Sequence, residues 1–205
     1  MAPTVSGDRS GTMDADRTRT LYSPPLRVTL VTRAGVRSPL AAARIARAVV
    51  AALESARAPQ PCSVTVVLTD DVELAELNVA HLGHEGPTDV LSFPMLEPTV
   101  FDRIERRDAN LSEIQPAAGG VREARRERPA GERGRAHLGD IAISVERAIE
   151  QAVEGRGGQT GDVRWSAADE LRLLVTHGTL HLCGWDHAEP AEEAAMRDLE
   201  RRLLG

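Results

Sequence analysis

The sequence predicts an α/β or α+β fold, in which a small mixed β-sheet of about four strands is packed by helices in a single domain. Three observations lead to this prediction. The length of 205 residues suits one domain better than two. Short runs of β-branched residues are interspersed with longer segments of helical periodicity, and no internal repeat is present.

The first elements follow a segment that lacks an apolar period. Residues 1–24 are rich in Ser, Thr, Asp, Arg and Gly, and we expect them to form a disordered tail. The β-branched run "LRVTLV" at 26–31 predicts the first strand. Apolar residues at helical spacing predict a helix over 38–56, with Ser38 as its N-cap and Pro39 at its first helical position.

The middle of the chain contains a second strand, a second helix and a third strand. The run "CSVTVVLT" at 62–69 is dense in β-branched residues and predicts a buried strand. Asp70 or Asp71 is expected to cap a helix that continues to about Asn78. "TDVLSFP" at 88–94 is again typical of a strand.

The last part of the chain begins with a charged insertion. Residues 97–136 mix Arg and acidic residues with Gly and Pro, which indicates an inserted surface loop. "GDIAIS" at 139–144 predicts the fourth strand, a helix follows at 145–153, and Ser166 begins another helix. Pro190 starts a C-terminal amphipathic helix. The residues expected to face the core on that helix are Ala195, Met196, Leu199 and Leu203.

Composition excludes some classes of partner. The net charge of -6 argues against a broad basic surface for duplex nucleic acid. No apolar run is long enough to cross a membrane, and the N-terminus lacks the pattern of a signal peptide, so we expect a cytoplasmic protein with no membrane partner. Cys62 and Cys183 are far apart in the sequence and are expected to be free, buried thiols.

One short stretch, "HGTLHLCGWDH" at 177–187, predicts a metal site. His177 and His181 are four residues apart on a predicted helix, so their rings project from one face. Gly184 can end the helix in the left-handed conformation and return the chain, which brings His187 toward the same point. Three imidazoles with one open position are typical of a catalytic site for a single Zn²⁺ ion, the default metal for these ligands.

The same spacing occurs in metzincin proteases, but the glutamate that serves them as general base is replaced by Gly178. Asp186 and Asp140 are therefore the candidate catalytic carboxylates, either as proton acceptors or as partners of the ligand N–H groups. A structural alternative is open for both residues. Asp140 follows Gly139 and suits a turn at the start of a strand, and Asp186 suits a turn before His187.

Three blocks of the sequence resemble the YbeY family of bacterial endoribonucleases and rRNA maturation factors. These blocks are the 177–187 stretch, "LN" at 77–78 followed by "PTDVLSFP" at 87–94, and "LGDIAIS" at 138–144. The resemblance implies that 25–205 form one endoribonuclease domain, a small mixed sheet surrounded by helices, and that His177, His181 and His187 bind zinc. It also implies cleavage of single-stranded RNA, processing of the 3′ end of small-subunit rRNA, and a role in ribosome quality control.

Two features depart from the family pattern. Many members carry an Arg four residues after the Asn of the "LN" block, where this chain has Leu82. His84 and His137 are candidate substrate-binding residues instead, although a surface role would explain either one. The Arg-rich insertion is the second departure, and its alternating Glu residues favour a solvated arm over an RNA contact.

We therefore predict a hydrolase whose metal ion lowers the pKa of a water molecule and stabilises charge on an RNA phosphodiester. The RNA's own 2′-hydroxyl is an alternative nucleophile. Two other functions are open from the sequence: a zinc-stabilised factor that binds the small ribosomal subunit without catalysis, and a metzincin-like metalloprotease.

Overall fold

A computed structural model describes residues 15–83, 86, 88–97, 100–101, 134–154, 165–185 and 190–205. They form one five-stranded mixed sheet and five helices. The strands are β1 (Arg17–Ser23), β2 (Leu26–Thr32), β3 (Cys62–Thr69), β4 (Val90–Pro94) and β5 (Ala136–Ser144). The helices are α1 (Ala42–Ser55), α2 (Asp71–Leu82), α3 (Val145–Glu154), α4 (Ala167–Leu182) and α5 (Pro190–Leu204).

The strands are arranged in the order β1-β2-β3-β5-β4. The three central strands β2, β3 and β5 are parallel, as expected when helical segments connect strands of one sheet. The two edge strands, β1 and β4, pair in the antiparallel sense with β2 and β5. The predicted mixed sheet is confirmed, with one strand more than expected.

The additional strand is β1, and the prediction of a disordered tail over 1–24 is wrong for Arg17–Ser23. Six of its seven residues are exposed, so the segment has no apolar period that could reveal a strand from sequence. It is held by backbone pairing with β2, from Arg17 opposite Thr32 to Ser23 opposite Leu26. Residues 1–14 lie outside the described part of the chain.

Two helical layers cover the sheet. On one face, α1 and α4 pack over an aliphatic core that includes Ile45, Leu138, Ile141 and Leu171, all fully buried. On the other face, α2 places Leu74 against Leu91 and Ala142. Helix α5 packs on α1 and α4 through a smaller cluster of Ala52, Leu180, Met196 and Leu199. The C-terminal helix is thereby fixed beside α4, the helix that carries the predicted metal ligands.

Most helix boundaries follow their predicted caps, with one exception. The Asp70 side chain accepts a hydrogen bond from the Glu73 N–H and caps α2, which extends four residues past the predicted end. The prediction that Ser38 caps α1 and that Pro39 begins it is wrong, because the helix starts at Ala42. Ser38 Oγ instead accepts a hydrogen bond from the Leu40 N–H, which closes a local turn before the helix.

Residues at both ends of the predicted charged insertion belong to the core or to the sheet. Phe101 is only 8% exposed and belongs to the main core, and β5 already includes Ala136, so the ends of the predicted 97–136 segment are structured. Residues 102–133 lie outside the described residues. On α5, Met196 and Leu199 are buried and Leu203 is partly buried as predicted, whereas Ala195 is exposed.

Both cysteines are free and buried, as expected. Burial raises the pKa of the Cys62 thiol to about 11 and that of the Cys183 thiol to about 12, so both side chains are protonated thiols at neutral pH. No helix among the described residues is long and apolar enough to cross a membrane.

Candidate functional site

Helix α4 positions the two histidines of the candidate site. Its start is fixed by a capping box, in which Ser166 Oγ accepts from the Asp169 N–H and the Asp169 carboxylate accepts from the Ser166 N–H. The helix then runs through residue 182, and His177 and His181 lie one turn apart on the same face. Their rings stand nearly perpendicular at 82°, with centroids 4.6 Å apart.

The Nε2 atoms of His177 and His181 point at each other across 3.1 Å. In a tetrahedral zinc site with Zn–N distances of about 2.0–2.1 Å, two nitrogen ligands lie about 3.3 Å from one another. The observed spacing therefore matches the distance that two ligands of one ion require, without any change in backbone or helix register.

The opposite nitrogen of each ring faces a hydrogen-bond acceptor. His177 Nδ1 lies 2.7 Å from Glu200 Oε1, and His181 Nδ1 lies 2.8 Å from the carbonyl oxygen of Trp185. A carbonyl oxygen and an ionised carboxylate only accept hydrogen bonds, so each Nδ1 carries the proton and donates it. Where both imidazoles are neutral, each therefore has its lone pair on Nε2, and the two Nε2 atoms lie 3.1 Å apart. A cation is the group that suits this arrangement.

Gly184 provides the chain reversal predicted after the helix. Its φ is +84°, its N–H donates to the His181 carbonyl at 3.0 Å, and the next residue, Trp185, is returned toward the helix. This return is what allows the Trp185 carbonyl to accept from the ring of His181. The predicted left-handed glycine is confirmed. His187, the third predicted ligand, and Asp186 lie outside the described residues, and within those residues no group of three or more metal-binding side chains is present.

Gly178 faces the sheet, away from the two histidine rings. A Cβ atom at this position would lie 2.7 Å from Ile141 Cγ2, and 3.1 Å from both Ser92 Oγ and Val90 Cγ2. Ser92 Oγ also donates a hydrogen bond to the Gly178 carbonyl at 3.1 Å. The helix therefore approaches β4 and β5 closely at this residue, and a protease-type glutamate has no room there.

We expect Gly178→Ala to lower the free energy of unfolding by about 1–2 kcal/mol. Alanine gains up to about 1 kcal/mol in helix propensity, but the overpacking against Ile141 costs about 1–3 kcal/mol. Urea denaturation of the variant and of the unaltered chain measures the difference. A variant more stable than the unaltered chain would contradict the close approach of α4 to the sheet.

A cavity of about 420 Å³ opens beside His177, between α3, α4 and α5. Four carboxylates line it, from Asp89, Glu170, Glu193 and Glu200. Arg197 is the basic residue among the lining, and it forms an ion pair with Glu193. The wall beside His177 is therefore acidic, which favours a bound cation and disfavours a phosphate group that no cation neutralises.

The structure pairs Asp140 with His137 instead of bringing it to the α4 histidines. His137 Nε2 lies 2.9 Å from Asp140 Oδ1, and His137 Nδ1 lies 3.3 Å from Ser63 Oγ. Ile141 packs under Gly178 and so faces α4, and successive residues of a strand project to opposite faces. Asp140 consequently projects to the sheet face that carries α2, and the geometry gives no support to its predicted role as a base at His177 and His181.

The roles of the two predicted substrate-binding histidines stay predictions. His84 lies outside the described residues, and the substrate-binding role of His137 stays a prediction. Glu200 was missed from sequence, because its partner is 23 residues away. A usable signal existed, since Glu200 follows Met196 by four residues and so shares the inward face of the amphipathic C-terminal helix.

Comparisons with known proteins identify the family of the chain. A family model described as "Endoribonuclease YbeY" matches residues 33–205, a range that contains α4 and the whole 177–187 stretch. The chain belongs to the YbeY family of endoribonucleases. An Endoribonuclease YbeY of Salinispora tropica is 39% identical over 153 residues, which is 75% of this chain and 79% of the relative.

Two further YbeY relatives cover similar shares of the chain. The Endoribonuclease YbeY of Lachnoclostridium phytofermentans is 33% identical over 75% of this chain and 80% of its own length. That of Agathobacter rectalis is 36% identical over 78% of this chain and 85% of its own length. The family resemblance predicted from three short blocks is confirmed over most of the chain.

Proposed function

We propose that this YbeY-family chain is a zinc-dependent endoribonuclease specific for single-stranded RNA, and that it matures the 3′ end of small-subunit rRNA and acts in ribosome quality control. The family supplies the class of reaction, cleavage of RNA by an endonuclease. The facing Nε2 atoms of His177 and His181, 3.1 Å apart, are the observation that carries the metal requirement. The small ribosomal subunit, in the cytoplasm, is the proposed site of action.

The side chains that would hold the ion are His177, His181 and His187. The first two have the ligand spacing and the Nδ1 partners of metal-binding imidazoles. Gly184 turns the chain after the helix, as a third ligand three residues later requires. When bound, zinc would supply Lewis-acid charge for the phosphodiester oxygens and a lowered pKa for a nearby water.

The residues of the chain provide orientation, charge and a proton acceptor. Glu200 and the Trp185 carbonyl fix the two imidazoles as Nδ1–H tautomers. The acidic wall beside His177 disfavours RNA phosphates, and a divalent cation held by the histidines would offset this negative charge. Asp186, adjacent to His187, is the proposed proton acceptor for the attacking water, because Asp140 is paired with His137 on the other face of the sheet.

A protease function is not favoured by this geometry. The position that carries the general base in H-E-x-x-H enzymes is Gly178, and its Cβ direction points into β4 and β5. Neither the unaltered chain nor Gly178→Glu is expected to digest casein.

Cleavage of a single-stranded rRNA precursor by metal-free and zinc-loaded protein tests the proposal. We expect cleavage with zinc, little without it, and none of a duplex of the same sequence. Analysis of the new ends should find linear phosphate, since water is the proposed nucleophile. A 2′,3′-cyclic phosphate product would instead assign the attack to the RNA's own 2′-hydroxyl, and equal cleavage without metal would refute the zinc requirement.

A further inference from the structure

We infer that Glu200 is a positioning residue, which fixes the tautomer and orientation of His177 and so makes the C-terminal helix part of the metal site. The inference rests on the zinc site proposed above. It assigns a specific role to a residue of α5 that lies outside the 177–187 stretch.

Glu200 occupies a position where an unpaired carboxylate would be costly. It is 9% exposed and lies on the face of α5 that also buries Met196 (1% exposed) and Leu199 (7% exposed). Burial of a carboxylate without partners is strongly unfavourable. The 2.7 Å contact from Glu200 Oε1 to His177 Nδ1 provides the compensating charge-assisted hydrogen bond.

The hydrogen bond at Nδ1 of His177 affects the other ring nitrogen, Nε2, which is the proposed metal ligand. Because the carboxylate accepts the Nδ1 proton, it leaves the lone pair on Nε2 and makes that nitrogen a better ligand. His181 has the same arrangement, but its Nδ1 partner is the main-chain carbonyl of Trp185, which no substitution of a side chain removes. Of these two hydrogen-bond partners, only Glu200 can therefore be removed by substituting a side chain.

The contact between Glu200 and His177 also links the packing of α5 on α4 to the proposed metal site. Helix α5 is tied to α4 near the same point by Arg172 Nη2, which donates to the Leu203 carbonyl at 2.6 Å, and by the packing of Met196 and Leu199. A purely structural role for Glu200 would affect only this docking. A positioning role would in addition change the zinc affinity of a fully folded protein.

Three variants of the chain separate these roles. Glu200→Ala removes the acceptor, Glu200→Gln keeps an acceptor oxygen without the charge, and Glu192→Gln is the matched control on an exposed position of the same helix. Zinc affinity is measured by competition with a chelator, and the thermal stability of the metal-free protein is measured in parallel. We expect zinc affinity about 10–100-fold weaker for Glu200→Ala, a smaller loss for Glu200→Gln, and no loss for Glu192→Gln.

The results decide between the inference and the proposed function. Unchanged zinc affinity in a folded Glu200→Ala protein, or equal losses in Glu200→Ala and Glu200→Gln, would overturn the positioning role. Failure of the unaltered chain to bind zinc would overturn both the metal site and this inference. If the unaltered chain binds zinc and Glu200→Ala loosens it while RNA is never cut, the inference stands and the nuclease proposal falls.

Discussion

His177→Ala is expected to reduce zinc-dependent RNA cleavage at least about 100-fold and to remove most of the zinc affinity. The substitution deletes one of the two Nε2 atoms that face each other across 3.1 Å. It also leaves the buried Glu200 carboxylate without its ring partner, which should cost about 1–3 kcal/mol of stability in the metal-free protein. Cleavage of single-stranded RNA, chelator competition and urea denaturation measure the three effects.

His177→Asp is the matched control, because it keeps a metal-binding side chain at the same position of α4. It should retain more zinc affinity than His177→Ala if the position is a ligand. Cleavage by His177→Ala at close to the unaltered rate, in a protein that remains folded, would remove this histidine from the catalytic site. Ribosome association by the unaltered chain without any RNA cleavage would instead favour the non-catalytic ribosome-assembly function.

Gly139→Ala is expected to lower the free energy of unfolding by about 3–5 kcal/mol. A Cβ atom at this position would lie 2.2 Å from the carbonyl oxygen of Phe93 on β4 and 2.9 Å from Leu182 Cδ2 on α4. The φ of +146° adds backbone strain for any residue with a side chain. Urea denaturation should therefore find a large loss, and β4 should no longer hold Ser92 against Gly178, so RNA cleavage should fall too.

Gly35→Ala is the control, and it measures the loss of stability that comes from backbone strain alone. Gly35 has a φ of +78°, but no atom lies within 4 Å of the added Cβ. It should cost only about 1–2 kcal/mol. The close contact of β5 with β4 would be refuted if Gly139→Ala and Gly35→Ala destabilised the chain equally.

The parts of the fold predicted correctly are those specified by local chemistry. Asp70 and Ser166 cap their helices through side-chain hydrogen bonds within three residues, and Gly184 takes the left-handed conformation that ends α4. The β3 strand matches its prediction over Cys62–Thr69, because the segment is buried and β-branched throughout. Each of these signals is contained in a few consecutive residues.

Other features depend on packing between different elements of the fold. Strand β1 forms through pairing with β2 although its own side chains are almost all exposed. Asp140 projects to the sheet face opposite α4, where its Oδ1 lies 2.9 Å from His137 Nε2, and its catalytic role stays a prediction. Glu200 reaches His177 only once α5 has packed on α4. The histidine spacing was therefore readable from sequence, whereas the carboxylate that orients His177 depended on tertiary packing.

X-ray absorption at the zinc K-edge, on purified protein of known metal content, tests the central claim most directly. We predict one zinc per chain, with three imidazole nitrogens at about 2.0–2.1 Å and one oxygen from solvent. A protein that cleaves RNA without bound metal, or a zinc closed by four protein ligands, would contradict the catalytic site proposed for His177, His181 and His187.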